Sequence, residues 1–233
     1  MNLQTALTQL ANKLGLDAYA LYTYAAEDGY GGRNTGFNAW GIDADEGKLI
    51  YALVRALKPI VVLEIGTNEG ASATHLLAAV HANGQGEVIS YDTNPDAGGL
   101  IHDKALRGHW TFHHEDAKTA DLPHAEFVFE DSDHSLAGAT AVLKRVKATN
   151  PRIVIAHDYA MTTDYGDFHV REAFDAVFPD GFSIVLDGCE RGLGVWINPD
   201  WHAPEVTPVP AKKATPRKPA AKQTSAKKPA ARK

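Results

Sequence analysis

Acidic residues and histidines directly follow two hydrophobic segments of the chain. The sequence FVFEDSDHS places Asp131 after the first segment, and IVIAHDYA places His157 and Asp158 after the second. If both segments are neighbouring parallel strands, their carboxyl ends share one edge of the sheet, and these three side chains are predicted to converge on a cation. Carboxylate and imidazole donors suit Mg²⁺, Mn²⁺ or a harder transition metal. The alternative is that Asp131 caps the following helix and that His157 packs as a core histidine.

His134 lies three residues after Asp131, close enough to sit beside such an ion without binding it. A neutral imidazole titrates near the physiological range and is a suitable base for removing a hydroxyl proton. A cation would bind the same hydroxyl oxygen and lower its pKa. We therefore predict that His134 is the catalytic base of the site.

A glycine-containing loop, VLEIGTNEGAS, follows an earlier apolar run and opens a helix. Gly66 permits the tight turn, and Gly70 lets the start of the helix pack closely. The free N–H groups at a helix start suit a carboxylate or a phosphate. Asp92 ends the next predicted strand, 22 residues past Gly70, where an acid can accept hydrogen bonds from both hydroxyls of a ribose.

The loop differs from a dinucleotide-binding loop at its centre. A pyrophosphate needs a bare backbone at the middle glycine of G-x-G-x-x-G, and Asn68 occupies that position here. An asparagine side chain would crowd a pyrophosphate but not the amino-acid end of a methionine-derived cofactor. Glu64 adds a negative charge suited to an ammonium group. The loop therefore favours S-adenosylmethionine over NAD, although NAD-dependent redox chemistry stays an alternative.

The order E-I-G-x-x-x-G, then Y-D, then E-D-A at Glu115–Ala117 resembles the successive cofactor motifs of Rossmann-like, class I S-adenosylmethionine-dependent methyltransferases. This resemblance implies that Glu64, Gly66 and Gly70 surround the methionine part, that Asp92 holds the ribose and that Asp116 meets the adenine amino group. The predicted cofactor-binding residues are Glu64, Gly66, Thr67, Gly70, Ser72, Asp92, Asp116, Ala117 and Asp131.

The pair D-S-D-H-S and H-D-Y resembles the metal-dependent O-methyltransferases of the catechol and macrolide-sugar kind, and the related cephalosporin-hydroxylase-like proteins. The resemblance covers about residues 58–198. It implies that Asp131, His157 and Asp158 bind the metal, that His134 is the base, and that the acceptor is a small hydroxylated molecule such as a sugar or phenol. This chain departs from that pattern at one position. The residue directly before Asp158 is usually an acid in those proteins, whereas here it is His157.

Strands alternating with helices predict an α/β fold. We expect a Rossmann-like, doubly wound, mostly parallel seven-stranded sheet with an antiparallel edge strand and helices on both faces. The predicted strands are Ile60–Ile65, Glu87–Tyr91, Trp110–His113, Glu126–Glu130, Arg152–Ala156, Ser183–Leu186 and Gly194–Ile197. The predicted helices are Leu3–Leu14, a helix capped by Asp43 and Glu46 that runs to about Leu57, Ser72–His81, Ala137–Lys147 and Val170–Val177.

Composition divides the chain of 233 residues into three parts. Residues 1–57 are predicted to form an N-terminal helical and lid segment, in which the Tyr- and Gly-rich stretch near residues 24–40 is either a mobile lid or a packed loop. The resemblance implies that residues 58–203 form the S-adenosylmethionine-binding methyltransferase domain. Residues 204–233 hold nine of the 23 Lys and Arg residues and one acid, and this low-complexity tail is predicted to be disordered.

The same composition limits location and partners. The sequence has no apolar run of membrane-spanning length and no signal-peptide pattern, and Cys189 is the single cysteine, so we expect a reducing, cytoplasmic setting without membrane contact. The basic tail suggests weak, nonspecific nucleic-acid binding. Two further hypotheses follow: a methyltransferase for a macromolecule tethered by the tail, and a non-catalytic nucleic-acid-associated protein with a vestigial Rossmann domain. A homo-oligomer is left open.

Overall fold

A central sheet with helices on both faces dominates the computed structural model, which describes residues 1–28 and 41–201. The helices of these residues are α1 (Leu3–Leu14), α2 (Ala18–Glu27), α3 (Ala44–Leu57), α4 (Ala71–Asn83), α5 (Lys104–Arg107), α6 (Leu136–Ala148) and α7 (Val170–Val177), and Thr163–Tyr165 form a 3₁₀ turn. The strands are β1 (Val61–Ile65), β2 (Glu87–Asp92), β3 (Trp110–His114), β4 (Phe127–Glu130), β5 (Ile153–Ala156), β6 (Phe182–Ile184) and β7 (Leu193–Ile197).

The strand order is β3-β2-β1-β4-β5-β7-β6. Strands β1 to β5 pair in parallel, whereas β7 runs antiparallel to both β5 and β6. The predicted α/β class, the seven strands and the antiparallel pair at the edge are confirmed. The order reverses between β1 and β4, so the crevice at their carboxyl ends is the expected ligand position.

Alternate residues of the central strands face two different apolar layers, because side chains of a strand point in turn to opposite faces. Phe127 and Phe129 of β4 pack in the layer that includes helices α1, α3 and α4. Val128, between them, packs in the layer of α6 and α7. Burial on both faces explains the continuous apolar runs that predicted these strands.

The N-terminal helices belong to the first of these layers. Leu49 and Leu53 of α3 are fully buried in the same cluster as Leu76 of α4, so α3 is part of the core. Helix α2 was not predicted: its sequence, AYALYTYAAE, is apolar on several sides and therefore lacks a clear amphipathic period. Asp17 caps it by accepting a hydrogen bond from Tyr19 N at 2.9 Å.

Two predicted features lie outside the described residues. They are most of the Tyr- and Gly-rich stretch near residues 24–40 and the basic tail 204–233, so the lid and the disorder stay predictions. None of the helices in the described ranges is long and apolar enough to cross a membrane.

Candidate active site

The glycine loop between β1 and α4 is held in a conformation that its sequence requires. Gly66 and Gly70 have φ angles of 85° and 94°, in the region that glycine adopts without strain, and Asn68 lies at φ 46°, which asparagine tolerates better than most residues. A β-carbon on Gly66 would collide with the backbone carbonyl of Asp131, and one on Gly70 would lie 3.0 Å from the α-carbon of Gly98. Both glycines are therefore required by close backbone approach.

Asp92 joins the end of β2 to this loop. One carboxylate oxygen accepts hydrogen bonds from the backbone N–H groups of Thr67 and Asn68, both at 2.8 Å, and the other accepts one from Asn94 N at 2.8 Å. Asp92 also lines the cavity beside the loop. The residue predicted to hold a ribose therefore lies in position to do so, and it also fixes the loop.

Glu64 lies beneath the loop and not on the cavity wall. Its buried carboxylate accepts hydrogen bonds from the hydroxyls of Ser90 at 2.6 Å, Ser72 at 2.7 Å and Thr67 at 3.1 Å. Burial raises the pKa of Glu64 to about 7, against the opposing effect of these three hydroxyls. Glu64, Ser72 and Thr67 therefore support the loop from beneath, and their role in cofactor binding stays a prediction.

A cavity of about 660 Å³ opens at the carboxyl ends of the central strands. Five of the predicted cofactor residues line it: Gly66, Asp92, Asp116, Ala117 and Asp131. The other four predicted residues, Glu64, Thr67, Gly70 and Ser72, are buried behind this wall. The volume of the cavity falls in the range typical of small-molecule and cofactor sites.

Asp116 stands at the far end of this wall, after β3. Its carboxylate accepts a hydrogen bond from Lys118 N at 2.9 Å. The ammonium of Lys118 lies 3.7 Å from Asp116 and 3.0 Å from Asp133, which connects this turn to the loop after β4.

Asp131, His134 and Asp158 form an acidic and imidazole cluster on the opposite side of the cavity. Nε2 of His134 lies 3.0 Å from Oδ2 of Asp158 and 3.6 Å from Oδ1 of Asp131. One donor atom from each residue lies within 4.8 Å of the others. The backbone of Asp158 adopts φ 56°, a left-handed conformation that is uncommon for residues other than glycine and that clusters at functional sites.

This cluster fits a divalent cation by its donor chemistry. Two carboxylates and an imidazole suit Mg²⁺, Mn²⁺ or a harder transition metal. Nε2 of His134 is buried between these two carboxylates, 3.0 Å from Asp158, although its contacts with the described residues lack the angles of a hydrogen bond. A buried nitrogen and two carboxylates that face one another form an arrangement that a shared cation would satisfy.

His157 is buried beside this cluster, with its Nδ1 3.7 Å from Oδ1 of Asp158, and its role as a metal ligand stays a prediction. Its Nε2 is hydrogen-bonded to Oε2 of Glu46 at 3.2 Å, and its Nδ1 lies 3.2 Å from Oδ2 of Asp131. Neighbouring residues after a strand point in different directions, so His157 enters the core while Asp158 faces the cavity. The histidine is 1% exposed.

The charges of this region set the protonation of its histidines. Burial would lower the pKa of His134, but its contacts with Asp131 and Asp158 raise it to about 10. Burial opposes ionisation of Asp131, but His157 and His134 together lower the pKa of that carboxyl to about 2. The two carboxylates therefore favour the protonated form of His134, and its role as a base stays a prediction.

Three further residues complete the site without having been predicted there. Nη1 of Arg191 donates a hydrogen bond to Oδ1 of Asp158 at 3.4 Å, and the ring of Phe168 stacks on His134 with centroids 4.6 Å apart. Both residues line the cavity. Glu46 reaches the site through His157, and its only sequence signal was that of a helix capping box.

The fold and this site resemble those of one class of protein. The strand order, the glycine loop after β1 and the acid at the end of β2 are similar to those of Rossmann-like, class I S-adenosylmethionine-dependent methyltransferases. Residues 63–159 match the family model described as "Methyltransferase domain". This match identifies that part of the chain as a methyltransferase domain and confirms the resemblance found in the sequence.

Solved structures share the fold. Rv0187 from MTB, solved with its cofactor, is 17% identical, with a TM-score of 0.54 over 85% of this chain and 98% of that one. TomG from Streptomyces achromogenes, an O-methyltransferase of tomaymycin synthesis solved with SAM, is 16% identical, with a TM-score of 0.54 over 83% and 96%. The O-methyltransferase from Bacillus cereus, solved with SAH, is 16% identical, with a TM-score of 0.52 over 83% and 97%. No curated protein matches the chain in sequence.

Proposed function

We propose that the protein is an S-adenosylmethionine-dependent O-methyltransferase that acts, with the help of a divalent cation, on a small hydroxylated acceptor such as a sugar or phenol. The observation that carries this proposal is the convergence of Nε2 of His134 and the carboxylates of Asp131 and Asp158, with their donor atoms within 4.8 Å of one another. These groups line the same cavity as the glycine loop and Asp92. A cofactor and the hydroxyl of an acceptor would therefore meet in one cavity.

The cofactor would lie along the wall formed by Gly66, Asp92, Asp116 and Ala117. Asp92 is already oriented by three backbone N–H groups, so its carboxylate is fixed before a ribose arrives. Acids outnumber bases among the charged residues of this wall, and their field favours a positively charged sulfonium. The same field disfavours a pyrophosphate.

Asp131, Asp158 and His134 would hold the cation, in place of the set Asp131, His157 and Asp158 expected from sequence. When bound, a divalent cation lowers the pKa of a coordinated hydroxyl and orients its oxygen. Phe168, stacked on His134, covers one side of the cluster and limits how an acceptor ring can approach. Arg191 donates to Asp158 and thereby restricts that carboxylate.

Two roles for His134 follow from this geometry, and they make different predictions. As a cation ligand, the imidazole uses Nε2 for the cation, and its loss weakens cation binding. As the base predicted from sequence, the imidazole needs a cation to offset the two carboxylates that now raise its pKa, and its loss lowers turnover alone. The convergence of Nε2 with the two carboxylates favours the first role.

Calorimetry with S-adenosylhomocysteine, repeated with Mn²⁺, Mg²⁺ and a chelator, tests the proposal. We expect the cofactor product to bind without metal, and we expect turnover of phenol or sugar acceptors to stop in the chelator. Absence of S-adenosylhomocysteine binding would overturn the proposed function. Full turnover of an identified acceptor in strong chelator would overturn the cation part alone.

A further inference from the structure

A buried line of three ionisable side chains connects helix α3 with the cation cluster. Oε2 of Glu46 and Nε2 of His157 are 3.2 Å apart, and Nδ1 of His157 lies 3.2 Å from Oδ2 of Asp131. The side chains of Glu46 and His157 are fully buried, and that of Asp131 is 18% exposed. The two carboxylates lie at opposite nitrogens of one imidazole.

This arrangement fixes the orientation of the imidazole. Nε2 is hydrogen-bonded to Glu46, and Nδ1 lies 3.2 Å from Asp131 and 3.7 Å from Asp158 without the angles of a hydrogen bond to either. Glu46 is itself fixed, because Oε2 also accepts a hydrogen bond from Asp43 N at 3.3 Å in the capping box of α3. The ring of His157 therefore stands in one position between α3 and the end of β4.

The consequence at the site concerns the two oxygens of Asp131. His157 lies at Oδ2, so that Oδ1 is the oxygen directed towards His134, 3.6 Å away. The backbone of Asp131 is also fixed, since its N–H donates to Ile65 O at 2.8 Å. A carboxylate held at its backbone and at one oxygen has little freedom to turn its other oxygen away from a cation.

Stability gives little reason for such a line of charges. Burying ionised groups carries a large desolvation cost, and apolar side chains of similar volume often serve the fold equally well or better. Removing a residue that orients a metal ligand, in contrast, commonly lowers metal affinity about 10- to 100-fold. The geometry of Glu46 and His157 matches that of such partners.

We propose that Glu46 and His157 are positioning residues that orient Asp131 for cation binding, so that helix α3 contributes to the active site without touching substrate. This inference rests on the proposed function, because it assumes a cation at Asp131. It assigns a role to Glu46, whose sequence pattern indicated a helix cap, and to His157, which the sequence placed among the ligands.

The test compares the variants E46L and E46Q in the full chain, with D28N as a matched control. Asp28 and His75 form another buried carboxylate–imidazole pair, with the atoms 2.7 Å apart, away from the cation cluster. Mn²⁺ affinity is measured by electron paramagnetic resonance, S-adenosylhomocysteine affinity by calorimetry, and folding by thermal unfolding. The Mn²⁺ measurement needs no acceptor and no turnover.

We expect E46L to weaken Mn²⁺ binding at least tenfold while S-adenosylhomocysteine affinity changes less than twofold. We expect E46Q, which keeps an oxygen for His157, to recover part of the loss, and D28N to lower the unfolding temperature without changing Mn²⁺ affinity. Wild-type Mn²⁺ affinity in E46L would overturn this inference alone. Equal losses of both affinities in E46L, without recovery in E46Q, would show a merely structural role and overturn it as well. Failure of the wild-type protein to bind Mn²⁺ would overturn the inference together with the cation part of the proposed function.

Discussion

Gly66 and Asp131 are in direct backbone contact, because the carbonyl of Asp131 occupies the place where a β-carbon on Gly66 would lie. Ile65, which precedes the glycine, accepts the hydrogen bond of Asp131 N at 2.8 Å. The glycine loop after β1 and the acidic residue after β4 are therefore fixed against each other. This contact joins the proposed cofactor and cation halves of the site.

The first prediction concerns this junction. G66A should lower S-adenosylhomocysteine affinity at least tenfold and also destabilise the fold, because the new methyl group displaces the loop from Asp131. G84A is the matched control, since Gly84 also has a positive φ, 67°, but a β-carbon there would meet no atom within 4 Å. It should cost only the backbone strain of about 1–2 kcal/mol. Equal effects of the two variants on cofactor affinity, measured by calorimetry, would contradict the contact.

Asp92 provides the second prediction. D92A removes an acceptor for the N–H groups of Thr67 and Asn68 and the predicted partner of the ribose. We expect at least a tenfold loss of S-adenosylhomocysteine affinity, which corresponds to about 1.4 kcal/mol or more. D96A, an exposed acid on the same loop, serves as the control and should bind normally. Normal binding by D92A would mean that the cofactor lies elsewhere.

The third prediction separates the two roles of His134. If the imidazole binds the cation, H134A lowers Mn²⁺ affinity at least tenfold. If it is the base, H134A keeps Mn²⁺ affinity and lowers kcat by about 10²- to 10⁴-fold. The exposed His102 gives the control H102A, which should change neither quantity. A variant H134A with normal cation binding and normal kcat would remove His134 from both roles.

Glu64 makes the stability of the protein depend on pH. Burial raises its folded pKa to about 7 from 4.5, so the folded state binds this proton more tightly than the unfolded state. The resulting stabilisation is complete below about pH 4.5 and is lost as the pH rises through about 7. E64Q lacks this titrating group and should not show the loss. The free energy of unfolding of E64Q, relative to that of wild type, should therefore rise by about 1–3 kcal/mol between pH 5 and 8. Urea unfolding at several pH values measures it, with the exposed E87Q as control, and parallel curves for E64Q and wild type would refute it.

Removal of residues 204–233 tests the role of the basic tail. A small-molecule enzyme should keep its kcat and KM without the tail, whereas a macromolecular acceptor tethered by it should be methylated more slowly. Any salt-sensitive binding to DNA or RNA should disappear with these nine basic residues. The comparison uses turnover on a small phenol or sugar beside filter binding at two salt concentrations.

The predicted elements agree best with the structure where the signal is local. Val170–Val177 and Leu3–Leu14 were predicted with the observed bounds, because each has apolar residues at helical spacing and a clear end. The strands β1, β4 and β5 were found because burial on both faces leaves a continuous apolar run. Helix α2 was missed because its apolar residues do not mark a single face.

The sequence by itself determined the sheet, the glycine loop and the acids that follow the strands, because periodicity and turn chemistry are properties of neighbouring residues. Only the tertiary structure decided which side chains face the cavity. His157 and Asp158 are adjacent in sequence, yet the left-handed backbone of Asp158 turns its carboxylate towards His134 while His157 meets Glu46, 111 residues away. Such a contact depends on how helices pack on the sheet, and no local pattern contains that information.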